Sequence, residues 1–146
     1  MSLIAKRPPL PLAEIETNVW TLPFWQAAAR HQFVASRCSD CGTFRMPPTP
    51  FCPTCQSQEI DWVKLPGTGS VYSYTIVSRA IFPGMEESLP YVPAIITLDG
   101  ADGVRLISNV VESAIDAITI DARVSVIWQD LPDGQSLPQF QIISDR

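Results

Sequence analysis

The sequence predicts a mainly β protein, in which a short N-terminal helical arm and a four-cysteine zinc-binding module precede a five-stranded barrel of the OB type. Three observations support this prediction. All four cysteines fall between residues 38 and 55 as two Cys-x-x-Cys pairs, and the segment before them is rich in proline. After residue 62, short runs of β-branched and aromatic residues alternate with turn signals. A chain of 146 residues with 46% hydrophobic residues is long enough for one compact domain.

Charge and hydropathy limit the classes of partner. The net charge of −5 argues against nucleic acid as a partner, because phosphate contacts require clustered Lys and Arg. A local basic patch that binds an anionic small molecule is compatible with this net charge. Every apolar run is shorter than the roughly 20 residues that span a bilayer. Pro8, Pro9 and Pro11 interrupt the start of the chain, where a signal peptide needs its apolar core. We therefore expect a cytoplasmic protein without membrane contact, a compartment in which paired cysteines usually bind metal or do redox chemistry.

Residues 1–34 are predicted to form an N-terminal arm and helix. Prolines are frequent in residues 1–19, which favours an extended segment that is either disordered or laid across another surface. The stretch LPFWQAAARHQ at residues 22–32 places Pro23 near a helix start and Phe24, Trp25 and Ala28 on one side. This pattern predicts a short amphipathic helix before the cysteines.

The segment RCSDCGTFRMPPTPFCPTCQ at residues 37–56 predicts a zinc site within a module of residues 35–62. Two Cys-x-x-Cys knuckles form a tetrahedral thiolate site with zinc–sulfur distances of about 2.3 Å. Gly42 follows the first pair and suits a knuckle that needs a positive φ, whereas Gln56 follows the second. Four thiolates leave no open coordination position, so the expected role is structural. Iron, a redox dithiol and unligated thiols remain alternatives. The predicted ligands are Cys38, Cys41, Cys52 and Cys55.

Five strands are predicted within residues 63–146. They are VYSYTIVSRA at 71–80, VPAIITL at 92–98, VRLISNVV at 104–111, RVSVIW at 123–128 and FQIIS at 140–144. DGADG at 99–103 predicts a hairpin turn, and ESAIDAIT at 112–119 is a connector of weak helical character. Short strands with a helical connector between the third and fourth are typical of a small Greek-key barrel of the OB type. A fragment of a β-sandwich is the alternative.

No recognisable catalytic constellation occurs in the sequence, so we predict no catalytic residue. His31 is the only histidine and stands outside any Ser, His and Asp pattern. Ser70, Ser73 and Ser78 lack the G-x-S-x-G elbow that exposes a nucleophile. GTG at residues 67–69 lacks the third glycine and the helix of a dinucleotide loop, so it predicts a turn. The chain is therefore more consistent with a binding protein than with an enzyme.

Apolar and aromatic residues stand out instead in a segment that has loop character. IFPGMEESLPYVP at residues 81–93 carries Phe82, Met85, Leu89 and Tyr91 between two predicted strands. Because loops normally lie on the surface, these side chains either cap the barrel or contact a ligand or partner.

The order of motifs resembles a known family. RCSDCG, PP at residues 47–48, CPTC, GTGSVYSYTIVSRA, PYVPAIITLDG, GVRLISNVV and LPQF are similar to the acyl-CoA-associated proteins known as domain of unknown function 35. Those proteins combine an N-terminal rubredoxin-like zinc ribbon with a C-terminal OB fold, and the resemblance covers about residues 24–140. Two positions depart from the family pattern: residues 121–123, where a turn of Ile-Gly type is usual, and Pro66, where a serine is frequent.

The resemblance implies an accessory role in lipid metabolism. Family members look like non-catalytic subunits of thiolase-fold enzymes or hot-dog-fold enoyl-CoA hydratases, and some assist acyl-CoA binding or channelling. It implies a metal role for the four cysteines and family-like barrel positions at residues 71–75, Arg79, Arg105 and Asn109. For contact with a CoA thioester or partner we expect Arg37, Arg45, Phe82 and Tyr91.

Other functions and states stay open. A homo-oligomer is compatible with the resemblance. A single-stranded nucleic-acid-binding module, with Tyr72 and Tyr74 as a stacking platform, is the main alternative function. An enzyme acting on CoA esters is a further one.

Overall fold

The computed structural model describes residues 3–9 and 14–143. Helix α1 spans Leu22–Ala29, and the strands are β1 Val34–Cys38, β2 Ile60–Lys64, β3 Thr68–Tyr74, β4 Val92–Leu98, β5 Arg105–Val110, β6 Arg123–Asp130 and β7 Ser136–Ile142. Strands β1 and β2 form an antiparallel hairpin, and the other five close a barrel in the order β3-β4-β5-β7-β6. The mainly β fold with a five-stranded OB-type barrel is therefore confirmed.

Helix α1 begins as predicted but ends at Ala29, earlier than the predicted Gln32. His31 adopts a positive φ of 58°. Its N–H donates to the Ala28 carbonyl and the Gln32 N–H donates to the Ala27 carbonyl, which is the Schellman pattern that ends helices. Glycine usually occupies this left-handed position. Because a histidine occupies it here, no residue in the sequence indicates where the helix ends.

The first barrel strand lies earlier in the chain than predicted. Strand β3 spans Thr68–Tyr74 rather than 71–80, because the predicted turn residue Gly69 pairs with both Leu98 and Val124. A Cβ at Gly69 would overlap the Thr97 carbonyl oxygen, so only glycine permits this close approach of strands. Residues 75–80 contribute one isolated bridge, between Val77 and Tyr91.

The last strand also begins earlier than predicted. Strand β7 starts at Ser136 instead of residue 140, and it ends at Ile142. Pro138 lies inside the strand, opposite Trp128. Proline is tolerated there because β7 pairs with β5 through a single position, Val110 with Phe140, which leaves most of that edge free.

The remaining elements agree with their predictions within two residues. Strand β4 has the predicted bounds, β5 is one residue shorter at each end, and β6 is two residues longer. The predicted connector contains a short 3₁₀ turn at Ile115–Ala117. Before β6, Asp121 adopts a positive φ of 68°, so the departure from the family pattern keeps a left-handed turn without glycine.

One hydrophobic core joins the hairpin to the barrel. Phe33 and Ala35 belong to the same buried cluster as Ile96, Val124 and Phe140. The rings of Phe33 and Phe140 lie 6.0 Å apart. Strand β2 crosses the predicted domain boundary at residues 62–63, and the Leu65 N–H donates to the Phe33 carbonyl. The cysteine-bearing hairpin is therefore anchored in the barrel.

Residues 3–9, here called the N-terminal strap, lie across the barrel of their own chain. Ala5 is 1% exposed and exchanges backbone hydrogen bonds of 2.8 Å with Ser113 and Glu112. The Lys6 N–H donates to the Pro90 carbonyl at 2.9 Å. This part of the predicted arm is extended and laid on a surface; residues 1, 2 and 10–13 lie outside the described part of the chain.

Candidate metal centre and apolar groove

The two Cys-x-x-Cys pairs form knuckles with the same backbone pattern. The Gly42 N–H donates to the Cys38 carbonyl, and the Gln56 N–H donates to the Cys52 carbonyl, at 3.0 and 2.9 Å. Gly42 has a φ of 80° and Gln56 a φ of 67°. The second knuckle therefore takes the same left-handed conformation without glycine, at the cost of some backbone strain.

The four sulfurs are close enough to hold one metal ion. All four Sγ atoms lie within 4.8 Å of one another, and the Cys38–Cys55 and Cys41–Cys52 pairs are each 3.5 Å apart. A tetrahedron with metal–sulfur distances of about 2.3 Å has edges of roughly 3.8 Å. These separations far exceed a disulfide bond of about 2.05 Å. The donor set therefore fits tetrahedral zinc, with Cys38 and Cys52 buried and the other two exposed.

The electrostatics of the thiols agree with a cation-binding site. The backbone of Cys55 and then of Thr54 hydrogen-bond to Cys52, which together with neighbouring thiols lowers its pKa to about 6. The Ser57 backbone lowers the pKa of the Cys55 thiol, but hydrogen bonds with neighbouring thiols, first Cys38, and burial raise it to about 12. Adjacent thiolates repel one another, so full ionisation of the set requires a cation to balance the charge.

The predicted contact residues for CoA lie in two regions, and none of them lines the three cavities described below. Arg37 is half-buried on β1, with its guanidinium 5.9 Å from the centre of the Phe44 ring. Arg45 is 5% exposed and its Nε donates to the Thr49 carbonyl. Its two terminal nitrogens are enclosed and have no hydrogen-bond partner among the described residues.

The loop of residues 81–93 is partly folded onto the barrel. Tyr91 is 8% exposed, and its backbone pairs with Val77. Met85 is 1% exposed, whereas Phe82 and Ile81 remain exposed. The loop therefore combines side chains that cover the barrel with side chains that face solvent, and the pattern of apolar residues alone does not separate the two.

A groove that we did not predict from the sequence runs between α1 and β5. Its larger cavity has a volume of about 300 Å³ and its smaller one about 180 Å³. Both are lined by Phe24, Trp25, Leu106 and Ile107. The larger cavity is completed by Thr21, Met46, Pro47, Pro48 and Arg105, and the smaller one by Pro8, Ser108, Asn109, Leu137, Pro138 and Gln139. We call the two cavities together the α1–β5 groove.

A third cavity opens on the outer face of strands β3, β4 and β5. It has a volume of about 270 Å³ and includes Tyr74, Pro93, Ile95 and Ile107. Ile95 and Ile107 are cross-strand partners, and Ile107 is 79% exposed. This outer sheet face is continuous with the α1–β5 groove through Ile107, which lines all three cavities. Such extended apolar surface is typical of a contact site.

Arg105 is the basic residue of this region. Its guanidinium carbon lies 3.7 Å from the centre of the Tyr72 ring, a cation–π distance. Among the described residues, no carboxylate forms an ion pair with Arg105, and none lines the three cavities. The cation therefore remains available to an anionic group.

His31 belongs to a polar cluster rather than to a nucleophilic site. Its Nε2 lies 2.6 Å from Asp130 Oδ1, and its ring stacks on Trp128 at 5.4 Å. The Ser136 hydroxyl donates to the same Asp130 oxygen. Hydrogen bonds from His31 and then Ser136 lower the pKa of the Asp130 carboxyl. Within the described residues no serine hydroxyl bonds His31, so these groups do not form a nucleophile–base pair.

The only α-helix among the described residues, α1, is too short to cross a bilayer. Its role in this structure is to form a wall of the groove.

Two family models match the chain. The model described as ChsH2, rubredoxin-like zinc ribbon domain, matches residues 25–61. The model described as ChsH2, C-terminal OB-fold domain, matches residues 62–129.

Several curated proteins are similar in sequence. A probable enoyl-CoA hydratase alpha subunit of Thermomonospora curvata is 40% identical over 81% of this chain and 36% of its own length. A 3-oxo-4,17-pregnadiene-20-carboxyl-CoA hydratase alpha subunit of Mycobacterium tuberculosis is 28% identical over 75% of this chain and 34% of its own length. A DUF35 domain-containing scaffold protein of Methanocaldococcus jannaschii is 31% identical over 71% of this chain and 72% of its own length. The chain thus spans about a third of the two hydratase subunits.

Solved structures lead to the same family. A chain of the Ltp2-ChsH2(DUF35) aldolase is 36% identical, with a TM-score of 0.78 over 88% of this chain and 98% of that chain. A DUF35 protein of unknown function from Sulfolobus solfataricus shares the fold, with 19% identity and a TM-score of 0.62 over 87% of each chain. The chain therefore belongs to the DUF35 family of proteins that join a rubredoxin-like zinc ribbon, whose four cysteines indicate a structural zinc, to an OB-fold barrel.

Proposed function

We propose that this protein is a non-catalytic accessory subunit that binds an enzyme acting on CoA thioesters, of thiolase or hot-dog hydratase fold, and assists acyl-CoA binding or channelling. The observation that carries the proposal is the α1–β5 groove, whose lining is mostly apolar and whose one charged residue is Arg105. An apolar groove with few polar groups is the usual form of a site for an amphiphilic ligand.

The metal centre supports a structural rather than a catalytic role. Cys38, Cys41, Cys52 and Cys55 offer four thiolates, which complete the shell of a zinc ion and leave no position for substrate. When bound, zinc supplies folding energy to the ribbon. The ribbon in turn supplies Met46, Pro47 and Pro48 to the groove wall. The chemistry on the thioester would then belong to the partner enzyme.

The groove suits the two parts of an acyl-CoA. Phe24, Trp25 and Leu106 provide apolar walls for an acyl or pantetheine chain. Arg105, held against Tyr72, offers guanidinium hydrogen bonds to a phosphate. Stacking on an aromatic ring pre-organises the cation, which reduces the entropy lost when the ligand binds.

The outer sheet face is the proposed contact with the partner enzyme. Ile107 and Ile95 expose apolar surface in a chain of net charge −5. The relatives named as hydratase subunits contain the similar region within chains about three times as long, so in them it stands beside further protein. A docked partner would bury Ile107 and place its own active site next to the groove.

The test is complex formation with defined partners. Candidate thiolase-fold and hydratase-fold subunits from the same genome are co-expressed with the chain, and each peak from size exclusion is weighed by native mass spectrometry and assayed for zinc. We expect a stoichiometric complex with one class of enzyme and its loss in I107S. The matched control is I120S, because Ile120 is 56% exposed and lines none of the three cavities. A chain that binds neither class of subunit, but binds single-stranded DNA with a steep salt dependence, would replace the proposal with the nucleic-acid alternative.

A further inference from the structure

The floor of the α1–β5 groove is a strand edge with free backbone groups. In an antiparallel pair, every second residue of a strand hydrogen-bonds the partner strand, and the residues between them face away from it. The Leu98 N–H donates to the Val104 carbonyl at 3.1 Å, which sets this alternation between β4 and β5. Leu106 therefore bonds β4, whereas the backbone N–H and C=O groups of Arg105 and Ile107 point away from β4 towards the groove.

Strand β7, the neighbour on that side, does not bond these groups. It runs parallel to β5 and pairs with it only through Val110 and Phe140. Pro138 of β7 has no N–H, and its carbonyl accepts a hydrogen bond of 2.8 Å from the Ser108 hydroxyl. Within residues 3–9 and 14–143, no side chain bonds the backbone of Ile107. The seam between the two strands is therefore open, and both cavities of the groove lie along it.

The lining combines apolar walls with hydrogen-bonding groups. Phe24 and Trp25 of α1 form a wall of both cavities. Asn109 is half-buried in the smaller cavity, and its side-chain amide has no hydrogen-bond partner in the described part of the chain. A hydrocarbon chain on this floor would displace water from the Ile107 backbone without replacing its hydrogen bonds, which is unfavourable. The groove therefore favours an extended ligand that carries amides along an otherwise apolar chain.

We propose that the groove binds the pantetheine arm of CoA, with the Ile107 backbone and the Asn109 side chain hydrogen-bonded to the two amides of the arm, and that the acyl group stays outside. This inference rests on the proposed function, because it assumes that a CoA thioester occupies the groove. The arm is an extended chain with two peptide-like amides, so it can pair with a strand edge as a peptide does.

The length of the arm agrees with this placement. About thirteen bonds separate the phosphate of CoA from its sulfur, which is roughly 15 Å in an extended chain at about 3.5 Å per three bonds. The floor that β5 provides from Arg105 to Asn109 is roughly 13 Å long. With the phosphate at Arg105, the arm fills the floor, and the sulfur and its acyl group lie beyond the end of it. The partner enzyme would meet the thioester there.

Isothermal titration calorimetry of the full-length, zinc-loaded chain identifies the part of the ligand that is bound. The probes are CoA, acetyl-CoA, octanoyl-CoA and adenosine 3′-phosphate 5′-diphosphate, which is CoA without its arm. We expect similar affinities for the three CoA species, because their acyl groups stay in water. The nucleotide should bind at least about 25-fold more weakly, since it lacks two neutral hydrogen bonds worth about fivefold each.

Two variants test the hydrogen bonds to the amides. I107P removes the N–H that faces the groove, at an edge position where proline leaves the β4 ladder intact. I107V is its matched control, because it keeps the N–H. We expect I107P and N109L each to weaken CoA binding by about fivefold, and N109L tests the site even if I107P is unstable. Hydrogen exchange of the Ile107 amide should slow on addition of CoA, whereas that of Leu106, already bonded to β4, should not change.

The outcomes separate the two proposals. Octanoyl-CoA that binds far more tightly than CoA, or CoA binding unchanged in both I107P and N109L, would overturn the pantetheine site and leave acyl-CoA binding intact. No binding of any CoA species by the wild type would overturn both. Protection of the Ile107 amide by a partner enzyme subunit but not by CoA would assign the seam to a strand of the partner and overturn the pantetheine site. CoA binding that is weakened in I107P and N109L, by a chain that forms no complex with either class of enzyme, would uphold the site and overturn the accessory role.

Discussion

Loss of one zinc ligand should destabilise the barrel as well as the ribbon. Cys52 is fully buried, and C52S removes one of the four thiolates that close the loop between β1 and β2. Without the metal, we expect the β1–β2 hairpin to separate from the barrel, because residues 39–59 then connect its strands without a fixed geometry. This separation would destabilise the barrel, because Phe33 precedes β1 and its ring lies 6.0 Å from the ring of Phe140 in the barrel core.

The magnitude follows from the surface that Phe33 buries. A buried phenylalanine covers about 150–250 Å² of surface, which at about 25 cal/mol per Å² is roughly 4–6 kcal/mol. The figure is an upper estimate, because the unfolded chain already buries part of this surface. For a chain of this size each kcal/mol shifts the Tm by about 2–4 °C, so C52S should lower the Tm of the barrel by at most roughly 8–24 °C.

Differential scanning calorimetry of the wild type and C52S, with zinc quantified by mass spectrometry, measures the shift. Hydrogen exchange of the β6 and β7 amides reports on the barrel directly. T54A is the matched control, since Thr54 is exposed in the same knuckle and is not a ligand. A C52S protein that has lost its zinc but melts at the wild-type temperature, with unchanged β6 and β7 exchange, would refute the reasoning.

Two further perturbations test the barrel. G69A should lower the free energy of unfolding by about 1–3 kcal/mol, because its new Cβ overlaps the Thr97 carbonyl oxygen. A Cβ at Gly84 has nothing within 4 Å, so G84A should lower the free energy of unfolding by only about 1 kcal/mol, for its positive φ. Equal free energies of unfolding for the two variants in urea would contradict this expectation. Hydrogen bonds from Arg123 and then Thr68 lower the pKa of the Asp99 carboxyl, so the stability it adds is fully present above its unfolded pKa of about 3.9 and is lost as the pH falls through the lower folded pKa. R123M should therefore be less stable than the wild type at pH 7 by about 0.5–1 kcal/mol, a small value because both side chains are partly exposed. This difference in stability should vanish in strong acid, where the Asp99 carboxyl is protonated. A difference that persists in strong acid would show that the ion pair does not cause it.

The sequence by itself determined the features that depend on local pattern. The Cys-x-x-Cys spacing identified Cys38, Cys41, Cys52 and Cys55, because a knuckle is a local structure whose two ligands are separated by two residues. The run of apolar and β-branched residues before the DGADG turn located β4, whose bounds were predicted correctly, because such side chains favour a pleated, largely buried strand. The ordered motifs also identified the family.

Only the tertiary structure decided the features that depend on distant parts of the chain. The turn at His31 that follows α1 and the knuckle at Gln56 use left-handed residues other than glycine, and surrounding contacts impose that conformation. The groove needs Trp25 of α1 and Arg105 of β5 to meet, although some eighty residues separate them. Pro8 reaches the same place because the strap pairs with segments about a hundred residues later in the chain. Such neighbours follow from strand order and packing, and no periodicity in a single sequence records them.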